Sequence, residues 1–520
     1  MSWRRHRMER PPRVGAAVLA KGLAGVFTIF IATSAGVAGA GYLQIQPPEV
    51  PPGQPPAPPP IQEIPDKELP DVEPGGPRTL LVLGSDRRAK TSTDAKLYGQ
   101  ADQPHSDTIV LVRLDPKRNR IAVMSLPRDL AVTIPGYADN TKINQAYDEG
   151  GPGLTLDTVK LLFRNATGTP MTINSVIDVN FNGFQRAVNY IGGVYADVDR
   201  HYNNPEGTGF AAIDIQPGYQ RLVGSDALAY VRYRHTDSDI FRNARQQEFL
   251  RQASLSPKID DLKSIPAAEK FLGTMRSYFR FDKKFLSRRN LAGMIKTAIY
   301  LAIHHAPVNQ ISLASGITES EDPTADTRLY ISNERLQKAY DQFMTGSAAT
   351  SNPKPTKKVK KVSKKEAKKS DSVTGLENAR RLGEDMAVIA TPKLKNLPFY
   401  FPELRTVGSQ YANETPRVYS LRDENNQLQR AYRIVISAGA PGEYYGVQGM
   451  TWRNPPGFDQ PDRVREINGR KLLLFYDGSK IRQIAWRTPK ALYYVTNTLD
   501  RKITNERLLA IASSLRRLNS

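Results

Sequence analysis

The sequence predicts an α/β domain, preceded by an N-terminal transmembrane helix and followed by a small α+β domain. Three observations predict this arrangement. A long uncharged apolar run stands near the N-terminus, short apolar runs joined by polar turns open the central region, and a second group of such runs ends the chain. At 520 residues the chain is also too long for one compact core, and two or three domains are expected.

The composition limits the classes of function. No cysteine is present, which excludes a disulfide scaffold, thiolate zinc sites and cysteine catalysis. The 73 lysine and arginine residues outnumber the 52 acidic residues, and the formal net charge is +21. Such an excess indicates anionic partners, and composition alone leaves nucleic acid, anionic lipid and phosphate-bearing substrates open.

The N-terminus indicates a membrane location. Residues 1–21 are basic, and residues 22–43 form an uncharged apolar run long enough to cross roughly 30 Å of hydrocarbon as a helix. The basic flank predicts a cytoplasmic N-terminus and large extracytoplasmic domains. The alternative is a cleaved signal peptide, because Ala38-Gly39-Ala40 has the small-x-small form of a cleavage site. Both alternatives carry the rest of the chain across the membrane, which argues against nucleic acid as a partner.

Two biased segments predict linkers. Residues 44–77 are rich in proline and are expected to form an extended, semi-rigid spacer. Residues 346–375 are rich in lysine. They are either a solvated flexible linker or an electrostatic tether to anionic lipid or anionic wall polymer. The central domain is therefore expected to span residues 78–345.

Three predicted strands open the central domain. The polar turn between the second and the third is short, which predicts an antiparallel hairpin. Asp107, before the second strand, and Arg128, after the third, would then lie at the same edge of the sheet, which we call the rim. Asp86, after the first strand, lies at the same rim if the first strand is antiparallel to the second. Such a group suits a divalent cation that bridges to a phosphate, although strand-end aspartates also serve as turn or capping residues. The predicted strands are residues 79–83, 108–114 and 120–126.

A second polar cluster begins at residues 227–234, for which the sequence predicts an extended segment. Alternation along such a segment would direct Arg232 and Arg234 to the same side. Asp237 or Asp239 would then cap a helix that follows.

The predicted helix carries further polar residues on one face. Arg242, Arg245 and Gln246 are three and four residues apart, so they lie side by side. Several arginines near a helix N-terminus predict a pyrophosphate clamp, because guanidinium groups bind phosphate oxygens through paired hydrogen bonds. The alternative is a salt-bridge surface formed with neighbouring acidic residues such as Glu248. Lys142 is either a further cation of this site or a solvated side chain.

Residues 376–520 predict a separate α+β domain of unknown role. Asp477-Gly478 predicts a hairpin turn between two of its strands. Thr504 can cap a final helix with an apolar face. No catalytic constellation is present in this part of the sequence, so we expect the central domain to fold and work without it. The predicted strands are residues 431–437, 471–476, 481–486 and 492–496, and the helix face is Leu508, Ile511, Ala512 and Leu515.

Several segments of the central domain together resemble the LytR–CpsA–Psr family. The resemblance covers residues 78 to about 340, and the last segment is highly specific. It implies a three-layer α/β/α domain with a central mixed sheet that holds a polyprenyl tail among its helices. It also implies transfer of glycopolymers from polyprenyl-pyrophosphate carriers to peptidoglycan, with Mg²⁺ or Mn²⁺ as cofactor. The segments are GSDRR, HSDTIVLVRLDP, SLPRDL, TKINQAY and ALAYVRYRHTDSDIFRNARQQEF.

The resemblance also implies roles for individual residues. Asp86 and Asp107 match the metal-binding aspartates, and we expect catalysis to depend on Asp107 together with three arginines. The family usually has Arg-Ser-Asp where this chain has His105-Ser106-Asp107, so one contact to the pyrophosphate differs here. The expected catalytic arginines are Arg128, Arg232 and Arg234, and the expected pyrophosphate-binding residues are Arg87, Lys142, Arg242, Arg245 and Gln246.

These expectations describe a membrane-anchored phosphotransferase whose partners are a lipid-linked glycopolymer, peptidoglycan and the membrane, without nucleic acid. A polyprenyl pyrophosphatase side activity is compatible with the same site. The base that accepts the hydroxyl proton is left open among Asp107, Asp237 and Asp239. A rival hypothesis is a non-catalytic receptor for polyprenyl phosphates that regulates wall synthesis. Such a receptor needs no metal, so the presence of both Asp86 and Asp107 favours the enzyme.

Overall fold

The computed structural model describes the two folded regions and parts of the segments that join them. The expected membrane helix and the first part of the proline-rich spacer lie outside the described residues. Those residues are 62–64, 69–70, 75–86, 105–137, 140–205, 212–233, 239–256, 278–285, 308–313, 316–319, 326–346, 360–361, 373–413 and 415–518, with isolated residues between 258 and 306.

The central domain consists of a sheet with helices on both faces. Its strands are β1 (Gln62–Ile64), β2 (Arg78–Ser85), β3 (Ser106–Asp115), β4 (Arg120–Leu126), β5 (Ala131–Val132), β6 (Thr141–Lys142), β7 (Ser175–Asn180), β8 (Val194–Val198), β9 (Tyr202–Asn204), β10 (Ile213–Ile215), β11 (Gly218–Leu222), β12 (Phe279–Asp282), β13 (Val308–Ile311), β14 (Ile317–Glu319) and β15 (Leu329–Ile331). Its described helices are α1 (Gln145–Thr167), α2 (Phe181–Tyr190), α3 (Gly224–Arg232), α4 (Asp239–Ala253) and α5 (Asn333–Met344).

Seven strands form the main sheet in the order β1-β12-β7-β2-β3-β4-β13. The β3–β4 pair is an antiparallel hairpin, and β2 is antiparallel to β3, as the turn pattern predicts. The β2–β7 and β4–β13 pairs are parallel, which makes the sheet mixed. The ends of β2 and β3 that carry Asp86 and Asp107 therefore lie next to each other, beside the end of β4.

Alternation along β3 separates two apolar cores. Val110 and Val112 belong to a core with α2, α3 and α4, whereas Ile109 and Leu111 belong to a core with α1 and α5. Successive side chains of a strand point to opposite faces, so each of these strands supports both cores. The predicted three-layer α/β/α arrangement is therefore present in the structure.

The expected boundary at residue 78 is wrong. Residues 62–64 form β1, which pairs in parallel with β12 at the edge of the main sheet. Leu69 is buried, and the Asn174 side chain donates a hydrogen bond to the carbonyl of Pro70. The end of the proline-rich segment is therefore part of the central domain, because its non-proline residues pair and pack.

The second domain contains a nine-stranded sheet covered by two helices. Its elements are β16 (Lys360–Lys361), β17 (Leu376–Asn378), α6 (Arg380–Leu394), β18 (Phe401–Pro402), β19 (Leu404–Thr406), β20 (Gln410–Tyr411), β21 (Arg417–Arg422), β22 (Leu428–Ser437), β23 (Tyr444–Met450), β24 (Arg463–Ile467), β25 (Arg470–Asp477), β26 (Lys480–Arg487), β27 (Leu492–Thr496), α7 (Asn505–Ser513) and β28 (Leu515–Arg516). The sheet order is β16-β24-β25-β26-β27-β23-β22-β20, with β21 paired to β22.

The sequence predicted the main features of this domain. The β25–β26 hairpin turns at Gly478, whose φ is +59°, and pairs Asp477 with Lys480. The Thr504 side chain accepts a hydrogen bond from the Arg507 backbone N–H at the start of α7. One linker prediction is partly wrong, because Lys360–Lys361 pair in parallel with β24 as an edge strand.

The two domains share an interface. Tyr195 and Tyr219 from the central domain belong to the same apolar cluster as Trp452 and Phe458 from the second domain. The Tyr195 and Trp452 ring centroids are 5.0 Å apart with their planes at 76°, a favourable aromatic geometry. Gly218 lies so close to Tyr419 that an added Cβ would be 2.6 Å from the phenol oxygen. The second domain therefore packs against the central domain, a contact that the sequence did not predict.

Candidate functional site

The acidic group at the centre of the site is the Asp107 carboxylate. Arg128 Nη1 donates a hydrogen bond to Asp107 Oδ1, and Arg232 Nη2 lies 3.4 Å from Oδ2. Burial by itself would raise the pKa of Asp107, but the positive charges of Arg128, Arg232 and Arg242 hold it below its usual value. Asp107 therefore remains ionised and holds two guanidinium groups on either side of it.

Asp86 completes the rim, as predicted from the antiparallel pairing. Its backbone N–H donates to the carbonyl of His105 at 3.1 Å, and its Oδ1 accepts from the His105 N–H at 2.6 Å. Burial raises the pKa of Asp86. The backbone hydrogen bond from His105 opposes this shift, and the negative charge of Asp107 adds to it. The two carboxylates are thus close enough to repel one another.

This pair of carboxylates fits a hard divalent cation. Mg²⁺ typically takes one or two carboxylates and completes its shell with phosphate oxygens and water. The repulsion between Asp86 and Asp107 is an electrostatic penalty that a bound cation removes. Within the described ranges, no group of three or more acidic or histidine side chains forms a metal cage. Two carboxylates would leave most of the coordination shell of such a cation to water and phosphate oxygens.

His105 is tied to a neighbouring helix. Its Nδ1 lies 2.6 Å from Asp148 Oδ1, in the first turn of α1. Burial raises the pKa of Asp148, and the nearby His105 opposes that shift. His105 is therefore engaged by an acidic partner within the protein.

One local prediction around the arginines is wrong. Residues 224–232 form helix α3, and the chain becomes extended only at Tyr233, with φ −54° and ψ 133°. Ala227, Tyr230 and Val231 are buried on its inner face at helical spacing. A short apolar run cannot be assigned to a strand or a helix by pattern alone, and here packing selects the helix. Arg232 is the last helical residue, so its direction is set by the helix end.

Arg232 is positioned by an aromatic ring that the sequence analysis missed. Its guanidinium carbon lies 3.9 Å from the centroid of the Phe181 ring. A planar guanidinium stacked on a ring loses little further freedom when it binds an anion. Phe181 begins α2 immediately after β7, so the only sequence signal was an aromatic residue at a strand end.

Helix α4 carries the other predicted binding residues, and they are largely buried. Gln246 donates through Nε2 to Thr108 Oγ1 and to the carbonyl of Val231, both at 3.1 Å. These contacts tie α4 to the start of β3 and to the end of α3. Arg242 is 2% exposed and its charge acts on Asp107. Gln246 therefore links the elements that carry the rim, and Arg242 adds a buried positive charge near Asp107.

The structure does not bring Arg245 to the rim. Its side chain is fully buried, and Nε donates to the carbonyl of Tyr230 at 2.8 Å. Other donors bind the carbonyl of Tyr233 and the hydroxyl of Tyr202. These bonds satisfy the carbonyl groups at the end of α3. We therefore correct the expected pyrophosphate contact of Arg245 to a structural role.

Lys142 joins the site through a residue that the sequence analysis did not select. Asp129 Oδ1 lies 3.0 Å from Lys142 Nζ, and Oδ2 lies 3.5 Å from Arg128 Nε. Lys142 Nζ also donates to Thr327 Oγ1 at 2.7 Å. Asp129 thus holds two cations beside Asp107, and its place in the Pro-Arg-Asp segment was the available signal.

Four residues named from the sequence cannot be placed. Arg87, Arg234 and Asp237 lie outside the described residues, and for Asp239 only the helical backbone is described. The predicted membrane helix is outside them as well. Within the part of the chain that the structure describes, no helix is long and apolar enough to cross a membrane.

The rim defines a class of protein, an α/β protein in which guanidinium groups and carboxylates gather at the ends of the central strands. The family is identified by a family model described as the LytR_cpsA_psr family, which matches residues 61–342. This match covers more than half of the 520 residues, and the chain belongs to the LytR–CpsA–Psr family.

Individual relatives match only part of the chain. An uncharacterized protein of Staphylococcus aureus is 35% identical over 194 residues, which cover 36% of this chain and 44% of the relative. The polyisoprenyl-teichoic acid–peptidoglycan teichoic acid transferase TagT of Bacillus subtilis is 33% identical over 231 residues, which cover 44% of this chain and 66% of TagT. The chain thus spans about half to two thirds of these relatives' lengths.

A solved structure described as TagT bound to LIIa-WTA has 25% sequence identity to this chain, with a TM-score of 0.39. The alignment covers 54% of this chain and 94% of that one.

Proposed function

We propose that this chain is a membrane-anchored phosphotransferase that moves a glycopolymer from a polyprenyl-pyrophosphate carrier to cell-wall peptidoglycan. The observation that carries this proposal is the Asp107 carboxylate held between Arg128 and Arg232 at the strand-end rim. The named activity of the Bacillus subtilis relative TagT supports it. The +21 net charge also suits a partner that carries phosphates.

The proposed reaction is a phosphoryl transfer. An acceptor hydroxyl oxygen attacks the sugar-side phosphorus, the bond from that phosphorus to the bridging oxygen breaks, and polyprenyl phosphate leaves. Catalysis of this kind depends on positioning and on neutralising the charge of the phosphate oxygens. Arg128 and Arg232 would bind those oxygens, and Arg242 would add positive potential from below. Mg²⁺ or Mn²⁺ held by Asp86 and Asp107 would supply further charge neutralisation when bound.

The acceptor proton must pass to a base. The arginines that lower the pKa of Asp107 make this carboxylate a weak proton acceptor. Asp107 is therefore better suited to hold the arginines than to take the proton. Asp237 and Asp239 remain as candidates for the base, since Asp237 stands just before α4 in the sequence and Asp239 is its first residue.

The activity can be tested with the purified full-length chain in detergent, a polyprenyl-pyrophosphate-linked saccharide and a peptidoglycan acceptor. Transfer should depend on Mg²⁺, release polyprenyl phosphate and leave a phosphodiester on the acceptor. Tight binding of the lipid without any turnover would contradict the enzyme and favour a receptor.

Replacing Arg232 by lysine should weaken binding of polyprenyl pyrophosphate by roughly tenfold or more. A lysine keeps the charge but can neither stack flat on Phe181 nor form two parallel hydrogen bonds. Loss of a charge-assisted contact costs on the order of 1.5–3 kcal/mol, and each 1.4 kcal/mol is about tenfold. Affinity and turnover would be measured at two salt concentrations. Arg164→Lys, at the exposed end of α1, is the matched control and should leave both unchanged.

The topology gives a separate prediction. Protease added to intact cells from which the wall has been stripped should remove the central domain, because residues 22–43 anchor the chain with its bulk outside. Immunoblotting with an antibody against the central domain would follow the loss of this domain, and a cytoplasmic protein would report cell lysis. Full protection in intact cells, with digestion only after lysis, would contradict the proposed orientation.

A further inference from the structure

A cleft between the two domains lies beside the proposed site. Its volume is about 210 Å³, and it is lined on one side by α4 and β13 and on the other by the β25–β26 hairpin. Pro127, the residue before Arg128, is part of its wall. Asn243 and Gln247 line it from α4, each one residue from Arg242 or Gln246. The cleft therefore borders the chain segments that carry Arg128, Arg242 and Gln246.

The lining of the cleft combines polar and apolar side chains and carries no excess charge. Amide and hydroxyl side chains of Ser125, Asn243, Gln247 and Gln310 line the central-domain side. On the second-domain side, two carboxylates are balanced by Lys480 and Arg501. A phosphate would be favoured by an excess of cations, which this cleft lacks. Neutral groups that donate and accept hydrogen bonds fit it best.

Gln310 lines the cleft and has an unsatisfied side-chain amide. Its Nε2 is buried and makes no hydrogen bond to the described residues. A buried amide without a partner is costly, and a ligand hydroxyl within reach of this side chain would recover the hydrogen bond. Gln247, in contrast, donates through Nε2 to Ser125 Oγ at 3.1 Å, which fixes the orientation of its amide.

We propose that this inter-domain cleft binds one saccharide ring next to the arginines that are proposed to bind the pyrophosphate. The inference rests on the proposed transferase function, which requires a sugar on each side of the transferred phosphorus. A cavity of about 150 Å³ holds a benzene ring, so 210 Å³ provides room for a six-membered ring with hydroxyl groups. The second domain thereby completes a substrate site, through the Asp477-Gly478 turn that the sequence analysis had left without a role.

The ring can come from the acceptor glycan or from the glycopolymer on the carrier, and direct binding distinguishes them. The acceptor probe is a lipid-free oligosaccharide released from peptidoglycan by a glycan hydrolase. The donor probe is a polyprenyl-pyrophosphate-linked saccharide, compared with polyprenyl pyrophosphate that carries no sugar. Dissociation constants would be measured by calorimetry on the full-length chain in detergent.

The Gln310→Met variant removes the amide and keeps the length of the side chain. It should weaken binding of one saccharide probe by about tenfold, the scale of one lost neutral hydrogen bond. Affinity for the sugar-free lipid should stay unchanged. Gln337→Met, at an i,i+4 pair with Asp341 on α5 and away from the cleft, is the matched control. Ser479→Trp, on the exposed turn at the cleft, is a second variant that blocks the space without altering the core.

Each outcome has a defined meaning. Weakened binding of the peptidoglycan oligosaccharide assigns the cleft to the acceptor, and weakened binding of the glycosylated lipid alone assigns it to the donor. Wild-type affinity for both probes in both variants, or failure of the wild type to bind either sugar, overturns the cleft as a saccharide site. If the wild-type protein failed to bind the sugar-free polyprenyl pyrophosphate, this result would instead contradict the proposed function. Its dissociation constant is measured separately from those of the two saccharide probes.

Discussion

Asp107→Ala is expected to abolish metal-dependent cleavage of a polyprenyl pyrophosphate while leaving a folded protein. The carboxylate has two functions at the rim, since it holds Arg128 and Arg232 and stands beside Asp86 as half of the proposed metal site. Without it the two guanidinium groups repel each other and the cation loses a ligand. Both effects act on the charge that develops in phosphoryl transfer, so the loss of rate should exceed that of any single arginine variant.

The effect on stability should be small by comparison. Asp107 lies at a polar strand end with its side chain 15% exposed, and the side chains of Arg128 and Arg232 are 23% and 37% exposed, so water can reach the groups that lose their contacts. Partly exposed pairs of this kind contribute about 1 kcal/mol or less.

Phosphate release would be measured with and without Mg²⁺, and circular dichroism would verify folding. Asp107→Asn tests the charge at constant shape, and Asp385→Ala on the exposed face of α6 is the control. A folded Asp107→Ala protein with full Mg²⁺-dependent turnover would mean that the metal assignment is wrong.

The rim was predictable because it depends on local geometry. A short polar turn fixes β3 and β4 as a hairpin, and that pairing alone makes Asp107 and Arg128 neighbours. The cap at Thr504 and the turn at Gly478 follow from residue chemistry in the same way. Such signals act over a few residues, and sequence analysis is most reliable over that distance.

The errors arose where distant packing decides the structure. The segment before Arg232 is apolar enough for a strand, and its helical form is stabilised by burial against α2 and α4. The role of Arg245 depends on where the end of α3 lies, which no local pattern reveals. Pairing of β1 with β12 joins residues more than two hundred positions apart. The inter-domain interface likewise joins residues that are more than two hundred positions apart, such as Tyr195 and Trp452.

Removal of residues 346–520 is expected to leave an aggregating or partly unfolded central domain. Tyr195 and Tyr219 would lose the cover of Trp452 and Phe458. Burial of one such side chain contributes about 1.5–3 kcal/mol, and two losses are a large part of the roughly 5–15 kcal/mol that stabilises a domain. Solubility and circular dichroism of the truncated chain would test this. A soluble, folded truncation with full activity would contradict the shared interface.

A single substitution tests the same interface in the full-length chain. Arg433 is 1% exposed, its Nη1 lies 3.3 Å from Asp197 Oδ1, and its Nη2 donates to Thr496 at 3.2 Å. Arg433→Ala leaves a buried carboxylate without its charged partner, a change that typically costs about 3–5 kcal/mol. The free energy of unfolding should fall by that amount at pH 7. Asp197→Asn combined with Arg433→Met should recover part of the loss, because the uncompensated charge is gone.

The dependence of this loss on pH identifies its cause. Burial already raises the pKa of Asp197, although Arg433 and the Tyr494 hydroxyl oppose the shift. Without Arg433 the folded-state pKa should rise further, and ionisation then costs stability as the pH rises through it. Below the ordinary aspartate value of about 4, the carboxyl group is protonated in both the folded and the unfolded chain, and the charge penalty vanishes. The destabilisation by Arg433→Ala, measured by denaturant unfolding, should therefore shrink between pH 7 and pH 4. A loss that stays constant over this range would mean that Arg433 acts through packing and not through its charge on Asp197.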